Sequence, residues 1–113
     1  MNIASQPPSP LLVLEGEPLP LEWTFSVVTT LLRIELGGST SRVALVEASP
    51  RSSSIRGILR GRVTASSTET NATITFLSLN RTDTASYVFA VLDYAGYFAD
   101  ASLQLIVQCK YKL

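Results

Sequence analysis

Asp83-Thr84-Ala85-Ser86-Tyr87-Val88-Phe89, running on through Ala90-Val91-Leu92, is the stretch that decides the fold. It alternates with the period of a strand: Ala85, Tyr87, Phe89 and Val91 on one side, Ser86, Val88, Ala90 and Leu92 on the other. The side with two large aromatics reads as the core side. The opposite phase is apolar too, where a solvated sheet face ordinarily carries polar residues. Upstream, Gly16-Glu17-Pro18-Leu19-Pro20-Leu21-Glu22-Trp23 gives a turn and then the same period. Leu19, Leu21, Trp23 and Phe25 share one face, with Pro20, Glu22 and Thr24 on the other. This is a half-buried strand.

The rest of the chain repeats the pattern in short pieces. Leu11 to Leu14 is a brief apolar run. Leu31 to Leu36 is a strand with Leu32, Ile34 and Leu36 in phase and Leu31, Arg33 and Glu35 outward. Residues 37–40 turn, Val43 to Glu47 is a strand, and Ala48 to Ser54 reads as a loop with Pro50 and a serine run. Arg62 to Ser66, Ala72 to Leu79 and Phe98 to Gln108 complete the strands, the last reached through Asp93-Tyr94-Ala95-Gly96-Tyr97. Residues 5–10, with three prolines, are extended and cannot enter a helix. No window has helical periodicity. Many short strands with frequent turn signals argue for an all-β sandwich or barrel. No internal repeat or long linker divides the chain. We read 1–10 as an extended N-terminal segment, 11–108 as one domain and 109–113 as the end of a fragment.

Composition narrows the function. The 113 residues suit one domain, and the formal net charge of +0 gives no electrostatic reason to expect nucleic acid. There is no histidine and one cysteine, Cys109, so zinc sites, Cys/His pairs and Ser-His-Asp triads cannot be built from this chain alone. No paired catalytic groups are evident; we expect no enzyme, no cofactor, no metal and no small-molecule substrate. No segment has the apolar length of a membrane span. Met1 to Pro10 is not a signal peptide, which suits a fragment whose signal and anchor have been cut away. Asn71-Ala72-Thr73 and Asn80-Arg81-Thr82 match the glycosylation acceptor pattern, short enough to arise by chance as well as by use.

Four features in order resemble the variable-type immunoglobulin domain. They are the Glu15-Gly16-Glu17-Pro18 turn before strand B, Gly61-Arg62-Val63-Thr64 at strand D, Thr73 to Leu79 at strand E, and Asp83 to Phe89 at strand F. The resemblance implies an all-β, V-set antiparallel sandwich. It places Trp23 and Phe89 where the two inter-sheet cysteines normally stand, so a disulfide is replaced by two large apolar residues expected to touch between the sheets. A lost disulfide costs about 2–5 kcal/mol in a small secreted domain; two buried aromatics, each removing on the order of 150–250 Å², offset much of it. Tyr87 takes the place of the tyrosine corner, and Arg62 and Asp83 that of a salt bridge closing the bottom of the domain. Two departures stand out: Leu32 or Ile34 replaces the core Trp of strand C, and strand G lacks the Gly-x-Gly bulge.

A variable-type domain without its cysteine pair is similar to the membrane-distal domains of the cnidarian Alr allorecognition receptors. That resemblance implies an extracellular receptor domain, anchored to the plasma membrane elsewhere, that binds a copy of itself on an opposing cell. The alternative is a heterophilic immune or viral immunoglobulin-like receptor using its loops. The candidate interface is Arg33, Glu35, Val88, Ala90, Leu92, Tyr94, Tyr97 and Ile106: an apolar strip edged by charge, with Arg42 and Glu47 on the rim. Such strips usually mark contact surfaces, unless a loop or a further domain covers them. Tyr94, Tyr97 and Phe98 either offer rigid contact area or fold back onto the sheet. Cys109 is either a free thiol or the partner of a cysteine in another domain. Asn71 and Asn80 are the candidate glycosylation sites.

Overall fold

The computed structural model describes residues 2–39 and 44–109. Within them, strands β1 (Asn2–Ser5), β3 (Leu19–Ser26), β8 (Asn71–Phe76) and β7 (Val63–Ser67) form one sheet in that order. Strands β2 (Leu11–Leu14), β10 (Phe98–Gln108), β9 (Ala85–Asp93), β4 (Leu31–Gly38), β5 (Ala44–Ser49) and β6 (Ser52–Ile55) form the other. All pairs are antiparallel except β2 with β10, which run parallel. Single 3-10 turns occur at Gly57–Leu59 and Arg81–Asp83. The two sheets face each other as a sandwich, the arrangement that buries the apolar phase of every long strand.

Trp23 of β3 and Phe89 of β9 meet at the centre. Their rings stack with centroids 4.3 Å apart and planes 5° from parallel, and both are fully buried. Phe25 leans on Phe89 from the next layer, at 6.4 Å and 43°. Leu21, Ile34, Leu36, Val46, Ile74, Phe76 and Leu103 fill the space around them. Cys109 is the single cysteine of the sequence, so no disulfide joins the sheets. The aromatic stack stands in its place, worth about 0.5–1.5 kcal/mol beyond the area it buries.

One end is closed by a polar cluster. Arg62 grips the buried Asp83 carboxylate with two nitrogens, at 2.5 and 2.7 Å, and also donates to the Ser78 carbonyl. The Asn80 backbone N–H donates to the same carboxylate. The Tyr87 hydroxyl donates to the Asp83 carbonyl oxygen at 2.7 Å. Burial works to raise the Asp83 pKa, but the bonds from Arg62 and Asn80 and the guanidinium charge outweigh it and hold the carboxyl below its usual range. The bond to Asp83 correspondingly raises Arg62. Burial, with the Asp83 charge, pushes the Tyr87 phenol up to about 12.

Two sequence expectations are corrected and a third is refined. Ala48 to Ser54 is not a loop: β5 continues to Ser49, and β6 pairs Val46 with Ile55 and Glu47 with Ser54 across a tight turn at Pro50 and Arg51. Serine has weak strand preference, so the pairing is imposed by the neighbouring strand and by Ile55, which packs against the core. Leu31 does not face outward. It lies opposite Asp93 while Arg33 lies opposite Leu92, so Leu32 is an extra, bulged residue and the phase before it is inverted. Leu31 is buried and Leu32 half-exposed, and Ile34 and Leu36 carry the buried phase of β4 beyond the bulge. Finally, Asn2 to Ser5, within the extended segment, is an edge strand paired with Thr24 to Ser26. Val43 and Arg42 lie outside the described residues.

Candidate functional site

The outer face of the six-stranded sheet is organised in rows by its register. β9 pairs with β10 on one side and β4 on the other, and β4 pairs with β5. The first row is Phe98, Leu92 and Arg33. The second is Asp100, Ala90, Glu35 and Glu47. The third is Ser102, Val88 and Gly37. Neighbours in a row are close enough for their side chains to interact.

This face is apolar along β9 and charged on both flanks. Val88 and Leu92 remain half-exposed, and Phe98 beside Leu92 is exposed. Arg33 bonds Glu35 on its own strand, Nε to Oε2 at 2.5 Å, and Arg56 reaches Glu47 at 3.1 Å. Asp100 is exposed at the other flank. Ala90 departs from the expectation of an open strip. It is 6% exposed, because its methyl sits low between the longer side chains of its row and of Val88 and Leu92.

Ile106 is not part of this surface. Ser102 and Gln104 separate it from Phe98 and Asp100 along the same phase of β10, and it pairs instead with Leu12 of β2. Leu12 and Leu14 are exposed there, a second apolar spot at the opposite end of the sheet.

Beyond the first row stand the loops. Tyr94 and Tyr97 are exposed, as is Val28 in the β3–β4 connection. They do not fold back onto the sheet. What holds them is Asp93, which the sequence reading passed over. This carboxylate is 2% exposed and accepts four backbone N–H bonds, from Val28 and Thr29 on one oxygen and from Ala95 and Tyr97 on the other. Burial works to raise its pKa, but the four donors outweigh that and hold the carboxyl below its usual range. Two more bonds tie the loops together: Tyr94 N–H to the Thr30 carbonyl and Ala95 N–H to the Thr29 hydroxyl. Gly96 completes the turn with φ +86°, a conformation that favours glycine. A signal was present: an Asp that ends an apolar strand and opens a turn commonly accepts the N–H two residues on, here that of Ala95.

The remaining candidates are structural or peripheral. Asn71 and Asn80 are exposed, the first on β8 of the opposite sheet and the second just before the Arg81–Asp83 turn. Neither lies on the face built by β10, β9, β4 and β5. Among the described residues no cluster of His, Cys, Asp and Glu is arranged to hold a metal ion. No helix of the described residues is long and apolar enough to cross a membrane.

No protein-family model and no curated protein matches the sequence. Among solved structures, the chain is similar to the first Ig-like domain of the human CD48 antigen. The TM-score is 0.73 at 18% identity, covering 93% of this chain and 85% of that one. The fold is therefore an immunoglobulin-like all-β sandwich, held together without a disulfide.

Proposed function

We propose that this chain is the extracellular recognition domain of a cell-surface receptor that binds a copy of itself on an opposing cell, through the outer face of its six-stranded sheet. The observation that carries the reading is the apolar line Val88, Ala90 and Leu92, extended by Phe98 and flanked by charge. A face of this composition suits protein contact, with the centre supplying affinity and the charged flanks discrimination. The variable-type subclass is supported by β5 and β6, which extend the sheet beyond β4 as the extra strands of variable-type domains do. Both glycosylation motifs lie off this face, so glycans at Asn71 and Asn80 leave it clear. The fold likeness to a CD48 domain is compatible with a receptor setting.

Two singly tagged batches, mixed and captured through one tag, test self-recognition. The second tag should be carried over with the first in wild type. Ala90→Glu, which adds a fourth carboxylate to the row of Asp100, Glu35 and Glu47, should abolish it. Equal capture of both proteins would remove this face from the function. A second reading, a heterophilic receptor using its loops, is favoured by the exposed Val28, Tyr94 and Tyr97 held in place by Asp93. It predicts no self-capture at all.

A further inference from the structure

The rows of the sheet limit how two copies can meet. A symmetric pair is isologous: if residue i of one copy touches residue j of the other, j also touches i. Two outer faces packed with roughly aligned strands can be related by an axis along the strands or across them. An axis along the strands exchanges the two flanks. Placed between β9 and β4, it sets Asp100 against Glu47 of the other copy and leaves Arg33 over Leu92. Placed on β9 it sets Asp100 against Glu35, and on β4 it sets Glu35 against itself. Each choice brings carboxylates together. An axis across the strands and through the second row also opposes like residues, Asp100 to Asp100 and Glu35 to Glu35.

Among the placements that avoid these clashes, one also sets opposite charges against each other. With the axis across the strands, midway between the first and second rows, each row meets the other. Leu92 then faces Ala90, and Arg33 faces Glu35, twice over by symmetry. The third row reaches past the first, so Val88 faces the Tyr94 end of β9.

Resting on the self-recognition reading above, we infer that the copies pair in this register, with Arg33 of each copy exchanging its bond to Glu35 of its own strand for one to Glu35 of its partner. Both side chains are partly exposed, at 38% and 24%, and already bonded to one another, so the exchange substitutes one charged contact for an equivalent one. The same geometry makes the pair a type-determining element. A chain carrying the two charges inverted would match itself and oppose the original at both contacts.

The test uses coated beads of wild type, Arg33→Glu, Glu35→Arg and the double variant Arg33→Glu/Glu35→Arg, each checked for an unchanged thermal midpoint. Wild type should clump. Each single variant should fail alone, since two like-charge contacts weaken the pair by roughly a hundredfold or more. Beads of the two single variants, mixed, should clump with each other. The double variant should clump with itself and exclude wild type. Single variants that clump alone as wild type does, or folded single variants that fail when mixed, would overturn the register while leaving self-recognition standing. Wild-type beads that never clump would overturn self-recognition itself, and the register with it.

Discussion

Phe89→Ala is the sharpest test of how this domain dispenses with a disulfide. Phe89 is 0% exposed and stacks on Trp23 at 4.3 Å. A buried aromatic removes about 150–250 Å² from water, and at about 25 cal/mol per Å² this amounts to about 4–6 kcal/mol. Partial collapse of the cavity brings the expected loss to about 3–5 kcal/mol. Domains of this kind total about 5–15 kcal/mol, so the variant should sit near its unfolding threshold. Trp23 is the single tryptophan and serves as the reporter. Urea titration followed by its fluorescence should show a lower midpoint with an unchanged slope. A cycle with Trp23→Ala, read by circular dichroism, should return a coupling of about 0.5–1.5 kcal/mol for the stack. A loss under about 1 kcal/mol, or zero coupling, would refute the idea that this pair takes over from the covalent bridge.

Three further outcomes follow from the polar groups. Asp83→Asn should cost about 1–3 kcal/mol at neutral pH. Because the folded carboxyl is held below its usual value, its contribution is complete above the ordinary carboxylate range and lost as pH falls through the lowered value. Thermal midpoints of wild type and variant should therefore converge in strong acid; a constant gap down to pH about 2 would contradict this. Tyr87→Phe should cost about 1 kcal/mol through the bond to Asp83. Wild type, whose phenol sits at about 12, should hold full stability below the ordinary phenol value and lose it as pH climbs towards 12. In stability measurements at high pH, Tyr87→Phe should lack that part of the loss. Asp93→Ala should leave the core folded while hydrogen exchange quickens at the Val28, Thr29, Ala95 and Tyr97 amides. Unchanged protection would mean that the loops are ordered by something other than this carboxylate.

Much of the fold was legible because strand periodicity is a local signal. β3 and β8 bury one phase against one core and their sequences alternate accordingly, while in β9 the large aromatics Tyr87 and Phe89 mark the buried phase. The sheet edges were harder to read. β6 has no periodicity of its own, and its four residues are a strand because β5 lies beside them. The bulge at Leu32 was hidden because a run of leucines fits either phase; only pairing with β9 reveals which leucine is inside. Ala90 is less exposed than its outward phase implies, because exposure depends on neighbours from other strands, Glu35 and Asp100, that are far away in the chain. The separation of Ile106 from the strip has the same origin: phase predicts the side of a sheet, not the distance along it.

The parallel pairing of β2 with β10 sets how the domain responds to pulling. Leu11 to Leu14 runs alongside Leu105 to Gln108 in the same direction. Tension drawing the chain backwards from Leu11 and forwards from Gln108 therefore acts along the two strands. The ladder is loaded in shear, and its bonds share the strain and must yield together. An antiparallel ladder pulled from its open end would instead be peeled one bond at a time. If the proposed self-recognition holds, a domain tugged between two cells would meet the load with its strongest geometry, and forced unfolding is governed by the rate at which such a barrier is crossed.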